Sequence, residues 1–292
     1  MKQNILELQK IYKEGAEILA NAGIAEATID AWYLLEYVTG ISKASYFGNP
    51  FREVEEADAE KYFAYIEKRS KRIPLQHITG SQEFMGYEFK VNEHVLIPRQ
   101  DTECLVEEAL KVLKTDMKVL DMCTGSGCIL LSLLKMGCER RHIVGLDGTG
   151  VDVSEEALKV ASENAKNLDV NIRLVKSDLF ENVEKIEDKY QLIVSNPPYI
   201  RTKVIEELQD EVRLHDPFIA LDGKEDGLHF YRRIINDSKE YICPGGMLMF
   251  EIGHDQGEDV SNLMKEAGYV DIAVKKDLAG LDRVVVGMYN ER

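Results

Sequence analysis

The residues whose types most directly suggest chemistry are Asn196-Pro197-Pro198-Tyr199, which follow the apolar residues 192–194 almost immediately. Each proline fixes its own φ, lacks an N–H and restricts the residue before it, so the pair forms a stiff, extended turn. The carbonyl groups of such a turn stay available, and the Asn196 side chain adds an acceptor and two donors. These residues predict a rigid cup in which adjacent acceptors hold both hydrogens of a planar –NH2 group beside the flat face of Tyr199. The alternative is a proline-rich turn with a purely structural role.

A second candidate site is the loop Cys123-Thr124-Gly125-Ser126-Gly127, which follows an expected strand at 118–122. Glycines allow the backbone to approach a ligand closely, and the start of an expected helix lies beside them. Nucleotide and flavin enzymes share such loops, so the loop by itself is not specific. Two details favour S-adenosylmethionine as the cofactor: no third glycine follows at dinucleotide spacing, and Asp121 can meet a cationic amino group, directly or through water. The product would be S-adenosylhomocysteine.

Two aspartates compete to accept the ribose hydroxyls of that cofactor. Asp147 follows Gly127 by 20 residues, close to the usual interval of about 20. Asp152 comes later, but it stands where an expected strand runs into a helix with Ser154 as the N-cap residue. A loop can lengthen whereas a strand–helix junction is fixed, so we choose Asp152 and interpret residues 145–150 as an insertion.

The adenine ring of the cofactor has its own candidates at Asp178, Leu179 and Phe180, which follow the next expected strand. The Asp178 carboxylate can accept a hydrogen bond from adenine N6, and Leu179 or Phe180 can cover the ring. The alternative for Asp178 is a solvated acid in a loop.

The elements that must position these residues fall into three segments, predicted as a helical bundle at 1–80, a β-hairpin linker at 81–100 and a methyltransferase domain at 101–292. In the first segment, apolar residues such as Ile5, Leu8 and Tyr12 recur at helical spacing. In the second, apolar residues alternate as far as Ile97. From about residue 100 strands and helices alternate, which predicts a doubly wound α/β fold. The expected class is a Rossmann-like, seven-stranded class I methyltransferase domain preceded by a small helical bundle.

Composition limits the classes of function. The chain has 292 residues, 45% of them hydrophobic, which is enough for a large core and two domains. The formal net charge of −16 counts against a nucleic-acid substrate. Five cysteines without zinc spacing are expected to be free thiols in a reducing cytoplasm, with no metal bound. No apolar run reaches the length of a membrane span, and the N-terminus does not look like a signal peptide.

The motifs in this order resemble the N5-glutamine methyltransferases that modify peptide chain release factors, and the resemblance extends over the whole chain. Further matching segments are Asp30-Ala31, Leu34-Leu35, Val38-Thr39-Gly40, residues 74–80, Glu83-Phe84, residues 96–103, Glu163-Asn164-Ala165 and residues 276–283. The Asn-Pro-Pro-Tyr motif alone also occurs in DNA N6-adenine methyltransferases and in enzymes that modify RNA or ribosomal-protein glutamine. The alternatives are therefore a nucleic-acid N6-adenine methyltransferase and a ribosomal-protein glutamine methyltransferase.

The resemblance implies roles for the cup residues. The Asn196 side-chain oxygen and the Pro197 carbonyl would accept the two hydrogens of a substrate amide, while Tyr199 packs against that amide. Pro198 belongs to the same substrate site, and Asn196 is also expected to contact the cofactor. Arg99 and Glu103 lie in sequence where they could frame a glutamine side chain.

The resemblance also implies a partner and a state. The substrate would be the glutamine of the Gly-Gly-Gln loop in peptide chain release factors 1 and 2, with the N-terminal bundle binding a second surface of the same partner. We expect a monomeric, cytoplasmic enzyme without a membrane partner.

This chain departs from the usual pattern at two positions. Glycine usually occupies the position of Cys123, so we expect the backbone there to avoid a conformation reserved for glycine. Proline usually occupies the position of Gln100, so we expect a less rigid turn there.

Overall fold

The computed structural model describes residues 6–185 and 187–291. Its regular secondary structure is helical up to residue 80, and strands alternate with helices beyond that residue. The α-helices are α1 (Leu8–Asn21), α2 (Ala27–Thr39), α3 (Lys43–Gly48), α4 (Glu56–Ser70), α5 (Leu75–Thr79), α6 (Glu103–Val112), α7 (Cys128–Arg141), α8 (Glu155–Asn167), α9 (Asp210–His215), α10 (Phe218–Leu221), α11 (His229–Asp237) and α12 (Gly257–Glu266). The strands are β1 (Ser81–Phe84), β2 (Tyr87–Lys90), β3 (Lys118–Met122), β4 (Asp147–Asp152), β5 (Arg173–Lys176), β6 (Tyr190–Ser195), β7 (Ile242–Glu251), β8 (Tyr269–Lys276) and β9 (Asp282–Tyr289). Short 3-10 helices cover Gln100–Thr102, Thr202–Glu207 and Ser238–Glu240.

The described chain divides into two compact units. The first contains the residues up to Gly80 together with α9, and the second contains residues 81–209 and 216–291. The hairpin β1–β2 belongs to the second unit. The sequence boundary at residue 80 did not anticipate that α9 groups with the N-terminal helices.

The first unit is a helical bundle with an apolar core. Leu8 and Ile11 of α1 are buried, as the helical spacing predicts. Tyr62 of α4 packs directly against Gly15 of α1, where an added Cβ would collide with the Tyr62 hydroxyl, so glycine permits the close approach of the two helices. The helical spacing expected at Ile5 lies outside the described residues.

Buried ion pairs hold α9 within the first unit. The Arg69 Nε of α4 lies 2.7 Å from Asp30 Oδ2 of α2, and its Nη1 lies 3.1 Å from Glu211 Oε1 of α9. Arg72 adds a second contact to Glu211 at 3.3 Å. Against the effect of burial, the backbone N–H of Glu211 and the two arginines hold the pKa of its carboxyl group below the usual value. Removing one partner of such a buried network leaves an uncompensated charge, which is strongly destabilising.

The second unit is built on a seven-stranded sheet with the strand order β5-β4-β3-β6-β7-β9-β8. The first five strands in this order are parallel, and β9 is antiparallel to both of its neighbours. Val119 and Leu120 of β3 point into separate apolar clusters, because successive side chains of a strand face opposite sides. The chain runs from β3 outward to β5 and returns on the other side of β3 as β6. Ligands bind where strand order reverses in this way, and the observed fold confirms the predicted class.

The interpretation of residues 145–150 as an insertion was wrong. Asp147 to Gly150 belong to β4, whose pairing with β3 begins at Lys118↔Asp147 and includes Asp121↔Gly150. Gly148 made the strand hard to recognise from the sequence, yet it allows close packing between the strand and α7. An added Cβ there would lie 2.5 Å from Leu134 Cδ1, so the missing side chain lets α7 lie close to the strand.

The alternation expected through Ile97 was also wrong in part, since β2 ends at Lys90. The buried side chain of Asn164 takes the place of the next ladder partner: its Oδ1 accepts from the Lys90 N–H at 2.7 Å and its Nδ2 donates to the Lys90 carbonyl at 3.1 Å. Val95 and Ile97 are buried, but they lie in a loop. The spacing of these buried loop residues therefore resembled the alternation expected of a strand.

The described residues contain five free cysteines, namely Cys104, Cys123, Cys128, Cys138 and Cys243. No cluster of three or more His, Cys, Asp or Glu side chains in residues 6–185 and 187–291 is arranged to hold a metal ion. Within the same residues, no helix is both long enough and apolar enough to cross a membrane.

Candidate active site

A cavity of about 410 Å³ opens where β3, β4, β5 and β6 end. The predicted site residues that line it are Arg99, Cys123, Thr124, Gly125, Ser126, Asp152, Asp178, Leu179, Asn196 and Pro198. The predicted site residues that do not line it are Glu103, Asp121, Gly127, Pro197 and Tyr199. The sequence did not indicate one other stretch of the wall, which lies within residues 217–233.

The loop after β3 turns sharply at Cys123, whose φ is +64°. This is the left-handed region that favours glycine, so the expectation that Cys123 avoids it was wrong. The turn is fixed from both sides, because the Thr124 N–H donates to the Val151 carbonyl at 2.9 Å and the Gly127 N–H donates to the Thr124 carbonyl at 2.8 Å. Burial raises the pKa of the Cys123 thiol, so it stays protonated and acts as a small wall residue.

Asp152 joins the end of β4 to this loop. Its Oδ2 accepts from the Gly125 N–H at 2.9 Å and its Oδ1 accepts from the Ser154 N–H at 2.9 Å. Burial raises the pKa of Asp152, and these N–H groups oppose that rise. Asp147 begins the same strand, does not line the cavity and faces Arg173 at 3.7 Å. The structure therefore brings Asp152, and not Asp147, to the cavity.

Asp121 is buried near the carboxyl end of β3, behind the loop that follows this strand. Its Oδ2 accepts from the Thr124 hydroxyl at 2.6 Å, so a cavity residue separates it from the open space. Burial raises its pKa to about 7. The buried amide of Asn164 supports the loop from the other side, where its Nδ2 donates to the Ser126 carbonyl at 2.9 Å.

The wall that follows β5 contains an ion pair that the sequence did not indicate. Asp178 Oδ1 accepts from Arg233 Nη1 at 2.9 Å, and both side chains line the cavity. Leu179 lines the cavity, whereas Phe180 stacks on Tyr241 with ring centroids 4.5 Å apart. Of the two residues predicted to cover an adenine ring, the structure brings only Leu179 to the cavity.

Asn196 begins the turn after β6. Its Nδ2 donates to the Thr102 hydroxyl at 3.4 Å, so the Oδ1 acceptor lies on the other side of the planar amide. The Ser195 hydroxyl donates to the Met122 carbonyl at 2.6 Å, which ties the end of β6 to the end of β3. The Tyr199 hydroxyl donates to Glu251 Oε1 at 3.1 Å, so it points away from the lining.

Arg99 and Glu103 occupy different places, although both were expected to frame a substrate. Arg99 lines the cavity, and its Nη2 lies 2.7 Å from Asp216 Oδ2, whose side chain is 0% exposed while that of Arg99 is 43% exposed. Glu103 Oε1 instead accepts from the Met85 N–H at 2.7 Å and so holds the turn of the β1–β2 hairpin. The structure therefore does not bring Glu103 to the cavity.

Comparisons with known proteins agree with this geometry. Residues 10–80 match the family described as PrmC N-terminal domain, and residues 100–277 match the family described as Methyltransferase small domain. The release factor glutamine methyltransferase of Caulobacter vibrioides is 40% identical over 98% of this chain and 97% of its own length. The chain belongs to the release factor glutamine methyltransferase family.

A second relative agrees with that membership, and a solved structure shows the same fold. The release factor glutamine methyltransferase of Clostridium acetobutylicum is 41% identical over 89% of this chain and 90% of its own length. A methyltransferase of Pyrococcus furiosus shares the fold, with a TM-score of 0.54 at 15% identity over 77% of this chain and 100% of that one. The predicted family is confirmed, and the chain is an S-adenosylmethionine-dependent methyltransferase.

Proposed function

We propose that this enzyme transfers a methyl group from S-adenosylmethionine to the side-chain amide nitrogen of the glutamine in the Gly-Gly-Gln loop of peptide chain release factors 1 and 2. The observation that carries the proposal is that Asn196, with its Oδ1 acceptor, and the loop Cys123–Gly127 open on one cavity. One wall can thus hold a methyl donor while the adjacent wall orients a planar nitrogen.

The cofactor fits the donor and acceptor groups of the first wall. The Asp152 carboxylate would accept the two ribose hydroxyls, Asp178 would accept from adenine N6, and Leu179 would cover the ring. Asp121 would act on the amino group of the cofactor through Thr124 or a water molecule. When bound, S-adenosylmethionine supplies a methyl group on a positively charged sulfur, which is a strong electrophile.

The acceptor wall would solve the opposite problem, since conjugation with the carbonyl makes an amide nitrogen a poor nucleophile. Asn196 Oδ1 and the Pro197 carbonyl would each accept one hydrogen of the substrate amide, which orients the nitrogen and favours the positive charge that develops on it. Tyr199 does not line the cavity, so its hydroxyl would instead support the turn through Glu251. The amide nitrogen would form a new N–C bond to the methyl carbon while the S–C bond breaks, and it would then give its surplus proton to water.

Further parts of the proposal concern the partner. The names of the relatives from Caulobacter vibrioides and Clostridium acetobutylicum support a release factor as the substrate. The N-terminal unit would bind a second surface of that factor, and the enzyme would act as a monomer in the cytoplasm. The net charge of −16 supports a protein substrate over a nucleic acid.

The test is methyl transfer from labelled S-adenosylmethionine to purified release factors 1 and 2. Parallel reactions use factors with Gln→Ala in the Gly-Gly-Gln loop, unmethylated DNA and purified ribosomal proteins. We expect label only on the factors with the intact glutamine. Label on DNA would instead indicate an adenine methyltransferase, and label on a ribosomal protein would indicate the other alternative.

A further inference from the structure

The orientation of the Asn196 amide depends on a neighbour far away in sequence. Asn196 Nδ2 donates to the hydroxyl of Thr102, a residue that is 2% exposed. A hydroxyl group has two lone pairs and one proton. Since Thr102 Oγ1 accepts from Asn196, its own proton remains to be donated to another buried acceptor.

Glu251 offers such a buried acceptor, because its Oε2 atom has no hydrogen-bond partner among the described residues. It ends β7, one position beyond the pairing Ser195↔Phe250, so it lies beside the start of the Asn196 turn. The residue is 2% exposed and its Oε1 accepts from the Tyr199 hydroxyl at 3.1 Å. Burial raises the pKa of Glu251, and the neighbouring Thr102 and Tyr199 hydroxyls and the charge of Arg283 oppose that rise without cancelling it.

We propose that Glu251 and Thr102 are positioning residues that fix the Asn196 amide with its oxygen toward the substrate. The Glu251 carboxylate accepts the Thr102 proton, and the Thr102 oxygen, turned in this way, accepts from Asn196 Nδ2. This inference rests on the proposed function, because the amide oxygen of Asn196 is the group that has to face the acceptor nitrogen.

The arrangement has a chemical reason. The two ends of a carboxamide have nearly the same shape, so only hydrogen bonds decide which end faces the cavity. If the Asn196 amide turned over, its –NH2 would meet the –NH2 of the substrate, and two donors would oppose each other. The same carboxylate also holds Tyr199, so one buried group fixes both ends of the cup.

The experiment compares Thr102→Val, Thr102→Ser, Glu251→Gln and the double variant Thr102→Val/Glu251→Gln. The readouts are the single-turnover rate of methyl transfer to release factor 1, the Kd for S-adenosylhomocysteine and the Tm. Thr149→Val is the matched control, because Thr149 is equally buried at 1% exposed and its hydroxyl accepts from Tyr190 away from the cavity.

We expect Thr102→Val to lower the rate about tenfold or more, since it removes one orienting hydrogen bond, with the Kd changed less than about twofold. Thr102→Ser keeps the hydroxyl and should restore most of the rate. Glu251→Gln should lower the rate as well, because it replaces one of the two accepting oxygens with an –NH2 group that only donates. The double variant should transfer methyl groups about as fast as the slower single variant, because both changes break the same series of hydrogen bonds.

Several results would overturn the inference. One is a Thr102→Val rate within about twofold of the wild type, or no slower than that of Thr149→Val. Others are a matching loss of S-adenosylhomocysteine affinity, or full additivity in the double variant. If Thr102→Val does not fold, Glu251→Gln tests the same series of hydrogen bonds independently. Failure of the proposed function is distinguishable, since the wild-type enzyme itself would then not label release factor 1.

Discussion

The two walls of the cavity are built in different ways. The wall that follows β3 and β4 is held between adjacent strand ends, since Asp152 accepts from the N–H groups of Gly125 and Ser154 and the Thr124 N–H donates to the Val151 carbonyl. The wall that follows β6 depends on distant residues, since Thr102 contacts the Asn196 amide across 94 positions in sequence. The proposed cofactor wall is thus shaped at β3 and β4 by the strand ends themselves, whereas the proposed acceptor wall depends on a side chain from a separate element.

The sharpest test of this division is Asn196→Ala, for which we predict the largest effect. The variant loses an acceptor aimed at the reacting nitrogen but leaves the loop and the carboxylates of the other wall in place. The rate of methyl transfer should fall about a hundredfold or more, while the Kd for S-adenosylhomocysteine stays nearly constant. Calorimetry and single-turnover kinetics measure the two quantities. An equal loss of both would show that the walls do not act separately.

Asp152→Ala tests the other wall, with Asp147→Ala as the matched control on the same strand. Removing Asp152 takes away the proposed ribose acceptor and two hydrogen bonds that shape the loop, so the Kd for S-adenosylhomocysteine should rise about tenfold to a hundredfold. Asp147 begins β4 away from the cavity, so its removal should change the Kd less than about twofold. The reverse order in calorimetric titrations would contradict the assignment.

Arg99 and Glu103 allow a finer comparison on the acceptor side. Arg99→Met removes a guanidinium that Asp216 holds at the cavity wall, so we predict a KM for release factor 1 about tenfold higher. Glu103→Gln should leave that KM nearly unchanged and lower the Tm slightly, because the Gln oxygen can still accept from the Met85 N–H but lacks the charge that strengthens this hydrogen bond. Steady-state kinetics with thermal melts of both variants check this, and a larger KM effect for Glu103→Gln would contradict it.

A further prediction concerns Asp121 and the pH dependence of stability rather than activity. Burial raises its pKa from 3.8 to about 7, so at intermediate pH the folded chain keeps a proton that the unfolded chain releases. The free energy of unfolding should therefore fall as pH rises through this window, and change no further above the folded pKa. Relative to Asp121→Asn, the wild type should lose about 3 kcal/mol between pH ~5 and ~8 in urea titrations. Parallel curves for both proteins would contradict the assignment.

The sequence indicated those features whose signals are local. About ten consecutive residues are enough to recognise the strand that contains Asp121, the loop of small residues or the proline pair after β6. The alternation of strands and helices predicted the sheet. The choice of Asp152 over Asp147 likewise rested on a local junction, since Ser154 accepts from the Ala157 N–H as an N-cap.

The features that sequence reasoning missed depend on contacts between distant segments. Arg233 meets Asp178 across 55 positions, and Arg69 meets Glu211 across 142. Asn164 replaces a strand partner at Lys90 across 74 positions, which is why the end of β2 was misjudged. The left-handed φ of Cys123 was not predicted for a related reason, because the hydrogen bond from the Thr124 N–H to the Val151 carbonyl fixes that turn.

The central claim is that the acceptor is a glutamine side-chain nitrogen, and fragment mass spectrometry of release factor 1 after reaction with the wild-type enzyme tests it most directly. The account predicts one added methyl group, located on the side-chain amide of the glutamine in the Gly-Gly-Gln loop. The same spectrum after reaction with Asn196→Ala should show almost none. A methyl group on a carboxylate, a lysine or any other atom of the factor would contradict the account.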